Sequence, residues 1–212
     1  MEGDGRMTAT IEVRRAVEFD MSAFAAIVNY FIETTTVNFR THLQSADEWR
    51  DEWKLRGERY PWLVAADGGE IVGLAYAGPW KAREAYGWSA ESTVYVANGQ
   101  HGRGIGRLLY DRLLATLDAQ GYRSTLGGIA LPNPASVALH EACGFRHVGT
   151  LASVGFKHGQ WRDVGFWQRL ASGGADQSAG AILPVSDVWS MVAAQEARSL
   201  SASSDGVPGS AV

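Results

Sequence analysis

Asn98-Gly99-Gln100-His101-Gly102-Arg103-Gly104-Ile105-Gly106, residues 98–106, is the stretch on which the fold turns. Just before it, residues 90–97 alternate as a strand, with Ser92, Val94 and Val96 on one face and Glu91, Thr93 and Tyr95 on the other. Just after it, Ile105, Leu109, Leu113 and Leu117 recur at helical spacing, with Leu108 and Leu114 beside them, until Gly121 offers a stop. A strand, a glycine turn and an amphipathic helix in that order line up unobstructed N–H groups at a helix N-terminus, where they can face an anion. A tight strand-to-helix turn tolerates the same glycines, so the segment alone leaves both readings open. Two other phosphate motifs do not fit. A Walker loop needs Lys and then Ser or Thr after its last glycine, and Gly106 is followed by Arg107 and Leu108. A dinucleotide fold wants the turn after its first strand, and here about three strands precede this one.

Upstream, residues 10–14 read as a first strand carrying Ile11 and Val13. Asp20 is placed to cap a helix bearing Met21, Phe24, Ile27, Val28, Phe31 and Ile32. The polar, β-branched run 34–44 ends that helix, and a second starts at Ser45 or Asp47 and reaches about Glu58, with Trp49 and Trp53 on one face. Strands at 62–66 and 71–77 flank Asp67-Gly68-Gly69-Glu70, a hairpin signal because glycine supplies the positive φ of a tight turn. Pro79 closes the second strand, and a polar-aromatic loop spans 80–88. Downstream come a short strand at 125–131 and a helix capped by Asn133, with Pro134 first, that runs to Cys143 and stops at Gly144. Strands at 146–156 and 161–170 follow, turned by Lys157-His158-Gly159-Gln160. Composition changes at Ala171. The expected organisation is a domain over 1–170 and a Ser/Ala/Gly-rich tail over 171–212, loosely attached or partly disordered, with Ile182–Val185 able to dock and a weak helix over 188–200.

The 212 residues can bury a sizeable core. With 19 Lys+Arg against 23 Asp+Glu, the net charge of −4 counts against nucleic acid as the main partner. A single cysteine, Cys143, excludes an internal disulfide framework and a thiolate-rich zinc site. The start has no signal-peptide order and no window is long and apolar enough for a membrane span, so a soluble, cytoplasmic chain is expected. The five histidines, at 42, 101, 140, 147 and 158, form no H-E-x-x-H helix, and no metal is expected.

The order strand, Gln100–Gly106, helix resembles the pyrophosphate loop of the GCN5-related N-acetyltransferase superfamily, and Asn133–Phe145 (NPASVALHEACGF) resembles its second signature, with His140 where a tyrosine is usual. A closer likeness, over roughly 10–170, is to the phosphinothricin N-acetyltransferases and their methionine sulfoximine and sulfone relatives. It is carried by IVNYFIETTTVNFR (27–40), RYPWLVAA (59–66), AYAGPWKAR (75–83), AESTVYV (90–96) and GFKHGQWRDVGFWQ (155–168). The resemblance implies an α/β fold, a mixed central sheet of about six or seven strands flanked by helices. It also implies a homodimer, acetyl-CoA as co-substrate, and acetyl transfer to the α-amino group of a small glutamate-like amino acid. Another free amino acid or small amine as acceptor, and a non-catalytic acyl-CoA-binding domain, stand as alternatives.

An amino acid's ammonium has no lone pair until a base takes a proton. Glu91, a carboxylate inside an apolar and hydroxyl strand, matches the family's catalytic glutamate; a solvated edge position or a structural pair with Lys81 is its plainer reading. His140 stands where the superfamily's tyrosine protonates the leaving thiolate, and an imidazole could do the same; its plainer reading is a packed helix histidine. The cofactor is expected along Val94, Tyr95 and Val96, on His101, Gly102, Arg103, Gly104, Ile105, Gly106 and Arg107, and against Asn133 and Ser136. The acceptor is expected among Phe39, Lys81, Arg83, Tyr86, Glu91, Ser92, Thr93 and Tyr95, with Phe39 and Arg40 over the pocket and the cations recognising its anionic groups. Phe156, Trp161, Phe166 and Trp167 are assigned to core and dimer surface, and Cys143 to the core.

Overall fold

The computed structural model describes residues 11–171 and 179–204. Seven strands, β1 (Glu12–Arg15), β2 (Trp62–Asp67), β3 (Glu70–Pro79), β4 (Ser89–Val96), β5 (Ser124–Ala130), β6 (Arg146–Lys157) and β7 (Gln160–Leu170), form one mixed sheet. Their order is β1-β2-β3-β4-β5-β7-β6, and only β4 and β5 run parallel. Five helices flank it: α1 (Met21–Thr34), α2 (Ala46–Arg56), α3 (Ile105–Gln120), α4 (Pro134–Ala142) and α5 (Val185–Ser204). This is the α/β class expected from the sequence.

Local chemistry sets most of the boundaries. Ser45 caps α2 in a reciprocal box with Glu48, whose N–H reaches the Ser45 hydroxyl at 3.1 Å. Gly68 and Gly69, at φ +58° and +93°, make the two-residue β2–β3 turn. Asp20 does not cap α1 as the sequence suggested. Its carboxylate instead accepts from both Arg14 guanidinium nitrogens, at 2.7 and 2.9 Å, and from the Val17 N–H at 2.8 Å. Burial opposes its ionisation, but those donors outweigh it and hold the carboxyl below its usual range.

β2 is covered on both faces, so Leu63, Val64 and Ala65 are all fully buried. On one side α3 presents Ile105, Leu109, Leu113 and Leu117 as read from the sequence, with Tyr110 also buried, while Leu108 turns outward. On the other, Phe24, Trp49, Trp62 and Tyr76 interlock, with Trp62 stacked on Tyr76 at 4.8 Å and on Phe24 at 5.4 Å.

Val185, Val188 and Val192 share one face of α5 and are buried where it packs on α3, and Arg112 lies 4.9 Å over the Trp189 ring. The approach is pinned by main-chain bonds from Leu183 to Gln120 (2.9 Å) and from Val185 to Glu58 (2.8 Å). Three valines at helical spacing hold this part against α3. Residues 172–178 and 205–212, like Thr10 of the expected first strand, lie outside the described residues.

Candidate active site

The two parallel strands separate at the residue of interest. β4 and β5 pair at Ser89–Ser124, Ala90–Thr125 and Glu91–Leu126, while β4 continues along β3 until Val96 meets Gly73. Beyond Glu91, therefore, the side of β4 that faced β5 has no strand partner among the described residues, although extended backbone must bond to something. The opening leads into a cavity of about 300 Å³ between the strands and α4, lined in part by Val94, Val96, His101, Asn133, Ser136 and Leu139.

At the far end stands the glycine turn. Gly99, Gly102 and Gly104 have φ between +77° and +82°, conformations a side chain resists, and Gly104 hands the chain directly to α3. The first N–H groups of α3 have no intrahelical acceptor and point back over the turn. Gly106 lets α3 and α4 touch, because a Cβ there would lie 3.0 Å from Leu139 Cδ2. Ile105 is buried, and His101 reaches the cavity. Both arginines of the turn already have partners. Arg103 pairs with Asp67 at 2.7 Å and with Gln100, while Arg107 holds Asp111 at 2.7 Å and donates to Ala142 O at 2.9 Å.

Asn133 caps α4 by accepting the Ser136 N–H at 3.1 Å, so its carboxamide oxygen is engaged locally. One turn on, His140 is only 4% exposed. Its Nδ1 lies 2.7 Å from Ser136 O, which can only accept, so Nδ1 carries the hydrogen. Nε2, 2.9 Å from Tyr110 Oη, then accepts the phenolic O–H. Burial pushes the imidazole pKa down against the pull of the Ser136 carbonyl, so the ring is neutral. Its Nε2–Cδ2 edge closes on β5, where a Cβ on Gly127 would meet Nε2 at 2.4 Å. Ser92 belongs to this side too: it is buried, with Oγ 3.2 Å from Leu126 O and 3.4 Å from Tyr110 Oη. It is turned away from Glu91, with which the sequence reading had grouped it for acceptor binding.

Glu91, Thr93 and Tyr95 occupy the opposite face. Glu91 is half-buried, and its Oε1 would lie 3.6 Å from a Cβ on Gly128. Burial raises its pKa, and the positive charge of Lys81 draws it partly back. Lys81 rests 4.7 Å over the Trp80 ring. It shares the exposed 80–88 segment with Arg83 and Tyr86, outside the cavity wall. Tyr95 Oη accepts from Asn38 Nδ2 at 2.9 Å, and its ring meets Phe31 at 5.0 Å. Phe39 packs on β6 at Gly155, and Arg40 lies over Trp49 rather than over the cavity.

Sequence reasoning passed over Tyr110, Gly127, Gly128 and Asn38. Tyr110 reads as core filler on α3, and only its contact with His140 marks it. The pair Gly127-Gly128 inside a strand was a legible signal, since glycine there indicates a close approach by another group. Among the described residues no cluster of His, Cys, Asp or Glu is arranged to hold a metal, and no helix is long and apolar enough to cross a membrane.

Residues 24–145 match the model of the acetyltransferase (GNAT) family. The chain is 54% identical over 159 residues, 75% of its own length and 87% of the relative's, to a phosphinothricin N-acetyltransferase of Streptomyces viridochromogenes. It is 34% identical over 160 residues, 74% of its length and 92% of the relative's, to an L-methionine sulfoximine/L-methionine sulfone acetyltransferase of Pseudomonas aeruginosa. Among solved structures it is similar to a phosphinothricin acetyltransferase from Sinorhizobium meliloti in complex with acetyl-CoA, with a TM-score of 0.76, 34% identity, and coverage of 82% of this chain and 96% of that one. On these likenesses this chain belongs to the GNAT acetyltransferase family, in its phosphinothricin N-acetyltransferase branch.

Proposed function

We propose that this chain transfers acetyl from acetyl-CoA to the α-amino group of phosphinothricin or of methionine sulfoximine or sulfone, in the cytoplasm and as a homodimer. The observation that carries the reading is the position of Glu91 at the apex where β4 leaves β5, with the open strand edge running from it to the glycine turn. The residues fit the co-substrate. The β4 edge over Val94–Val96 offers main-chain groups to an amide-bearing pantetheine arm. The turn from His101 to Gly106 and the first N–H groups of α3, at the positive end of a helix dipole, suit a diphosphate. When bound, acetyl-CoA supplies an acetyl group activated as a thioester.

Glu91 takes the proton that frees the acceptor's nitrogen, directly or through one water, and its raised pKa brings it nearer the working pH. Thr93 and Tyr95, on the same face, orient the acceptor, with Lys81, Arg83 and Tyr86 at the mouth for its anionic groups. On the other face the single phenolic proton of Tyr110 is donated to neutral His140, so this pair serves as a fixed wall beside the departing sulfur, and the thiolate takes its proton from water. His140 gains a proton from this position only against its burial, so of the two roles open from sequence it takes that of a packed histidine holding Tyr110 rather than that of the acid. Homodimerisation is supported by Val148, Leu151, Val154, Phe156 and Trp161, each more than half exposed on the β6–β7 hairpin.

A free-thiol assay over phosphinothricin, methionine sulfoximine and sulfone, glutamate, spermidine and a short peptide tests the acceptor. Fastest turnover with one of the first three is expected; preference for spermidine or the peptide would overturn it. Acetyl-CoA that fails to bind would remove the enzyme reading altogether, and sedimentation as a monomer would remove the dimer.

A further inference from the structure

Near the end of β6 the usual sidedness of the strand is inverted. Phe156 is 58% exposed, whereas its neighbour Lys157 is 6% exposed. A lysine turned inward beside a phenylalanine turned outward contradicts local hydrophobic logic, and such inversions mark positions where another demand prevails. Lys157 Nζ donates to Ile32 O at 2.6 Å and to Asn38 O at 2.7 Å. Ile32 lies in the last turn of α1, whose carbonyls lack helical partners and carry the negative end of the dipole, so an ammonium is well placed there. Asn38 lies six residues further on, so the one cation ties the helix end to the segment that follows it.

Other contacts bind the same segment. The Asn38 side chain reaches Tyr95 Oη at 2.9 Å, and its Oδ1 accepts the Arg40 N–H at 2.8 Å. The Phe39 ring sits so close to β6 that a Cβ on Gly155 would meet Cε2 at 2.4 Å. A bulge between Leu151 and Gly155 resets the register with β7 and carries β6 under this ring. The segment in turn places Val37 on the cavity wall with Phe31, over the face of β4 that bears Tyr95 and Glu91.

We propose that Lys157 is a positioning residue for the acceptor: its buried ammonium and the Gly155–Phe39 contact hold residues 35–40 as a fixed wall over the Glu91 face of β4, and so set affinity for the acceptor rather than for acetyl-CoA. The proposal rests on the reading that the acceptor approaches Glu91 on that face. A compact ammonium with three tetrahedral donors suits two converging carbonyls better than a planar guanidinium does.

The test uses the full chain with Lys157→Met, which keeps the stem and removes the charge, and with Gly155→Ala, which keeps the charge and drives Phe39 away. Measured for each are KM for the acceptor, Kd for acetyl-CoA by calorimetry, and the rate of native-state tryptic cleavage after Arg40. Acceptor KM should rise about ten- to hundredfold in both, with acetyl-CoA Kd within about twofold and cleavage faster. Unchanged acceptor KM overturns the proposal, as does a rise in KM without faster cleavage. An equal loss for both substrates, the mark of general loosening, overturns it as well. If Lys157→Met gives no cooperative melt, Gly155→Ala decides alone. Should the wild-type chain acetylate no amino acid, the functional reading falls, while cleavage after Arg40 still reports whether Lys157 holds the segment.

Discussion

The two faces of β4 use polar groups in opposite ways. Towards α3 and α4, buried Ser92, Tyr110 and His140 and half-buried Ser136 form a series in which each hydroxyl or ring nitrogen has an internal partner between 2.7 and 3.4 Å. Towards α1, Glu91 is half-buried and strained towards neutrality, with Lys81 on an exposed loop as its charge partner. A satisfied network is rigid because every displacement leaves a desolvated group unpaired. An under-compensated carboxylate is poised to take a proton for the same reason that it is unfavourable to the fold. In the proposed mechanism this holds the leaving-group side fixed and leaves the accepting side reactive.

Glu91→Gln should break the reactive face most severely. We expect kcat/KM to fall by about 10²–10⁴ with acetyl-CoA binding unchanged, read in the free-thiol assay and by calorimetry. The same variant should melt higher than wild type at neutral pH. The folded pKa of Glu91 is raised, so its contribution is most favourable below the unfolded value near 4.5 and is lost as pH rises through the folded one. The Tm difference should therefore shrink at low pH, and a constant difference would contradict the burial argument.

Gly127→Ala attacks the rigid face from behind. The added methyl meets His140 Nε2 at 2.4 Å, so the ring must leave β5 or the strand must shift. A loss of about 1–3 kcal/mol in chemical denaturation is expected, together with a fall in kcat. Tyr110→Phe is milder in shape but leaves Nε2 without its donor, at a cost of about 1–3 kcal/mol. Its kcat should drop more than its acceptor KM changes, whereas a KM effect alone would assign Tyr110 to acceptor binding. Lys81→Met is the gentlest for the fold, although it also removes a cation proposed to meet the acceptor. With its positive charge gone, the Glu91 pKa should climb, moving the acidic limb of the kcat/KM profile to higher pH while the melting point barely changes. A limb that does not move would separate Lys81 from Glu91.

Several elements could be read ahead of the structure because short-range chemistry decides them. The Gly68-Gly69 turn, the Ser45–Glu48 box, the Asn133-Pro134 start and the Gly121 stop each depend on residues within one turn of each other. Asp20 misleads for the opposite reason: its partner, Arg14, lies across a bend, and a guanidinium outcompetes a helix N–H. The tail gives only a weak helical signal because Ser, Ala and Gly dominate its composition, and its valines become an anchor only where they meet α3. Lys157 reads as a turn residue, and instead β6 ends on it with its ammonium turned inward onto the Ile32 and Asn38 carbonyls, partners far away in the chain.

From its own letters the chain prescribes a strand, a glycine turn and a helix, because left-handed φ, capping and hydrophobic period are properties of neighbours. Only the assembled sheet could decide that β4 parts from β5 at Glu91, that His140 is neutral against Tyr110, and that a lysine from β6 holds the segment after α1. Those outcomes depend on burial and on partners up to 125 positions apart, where desolvation and competing donors, rather than local preference, determine what each group does.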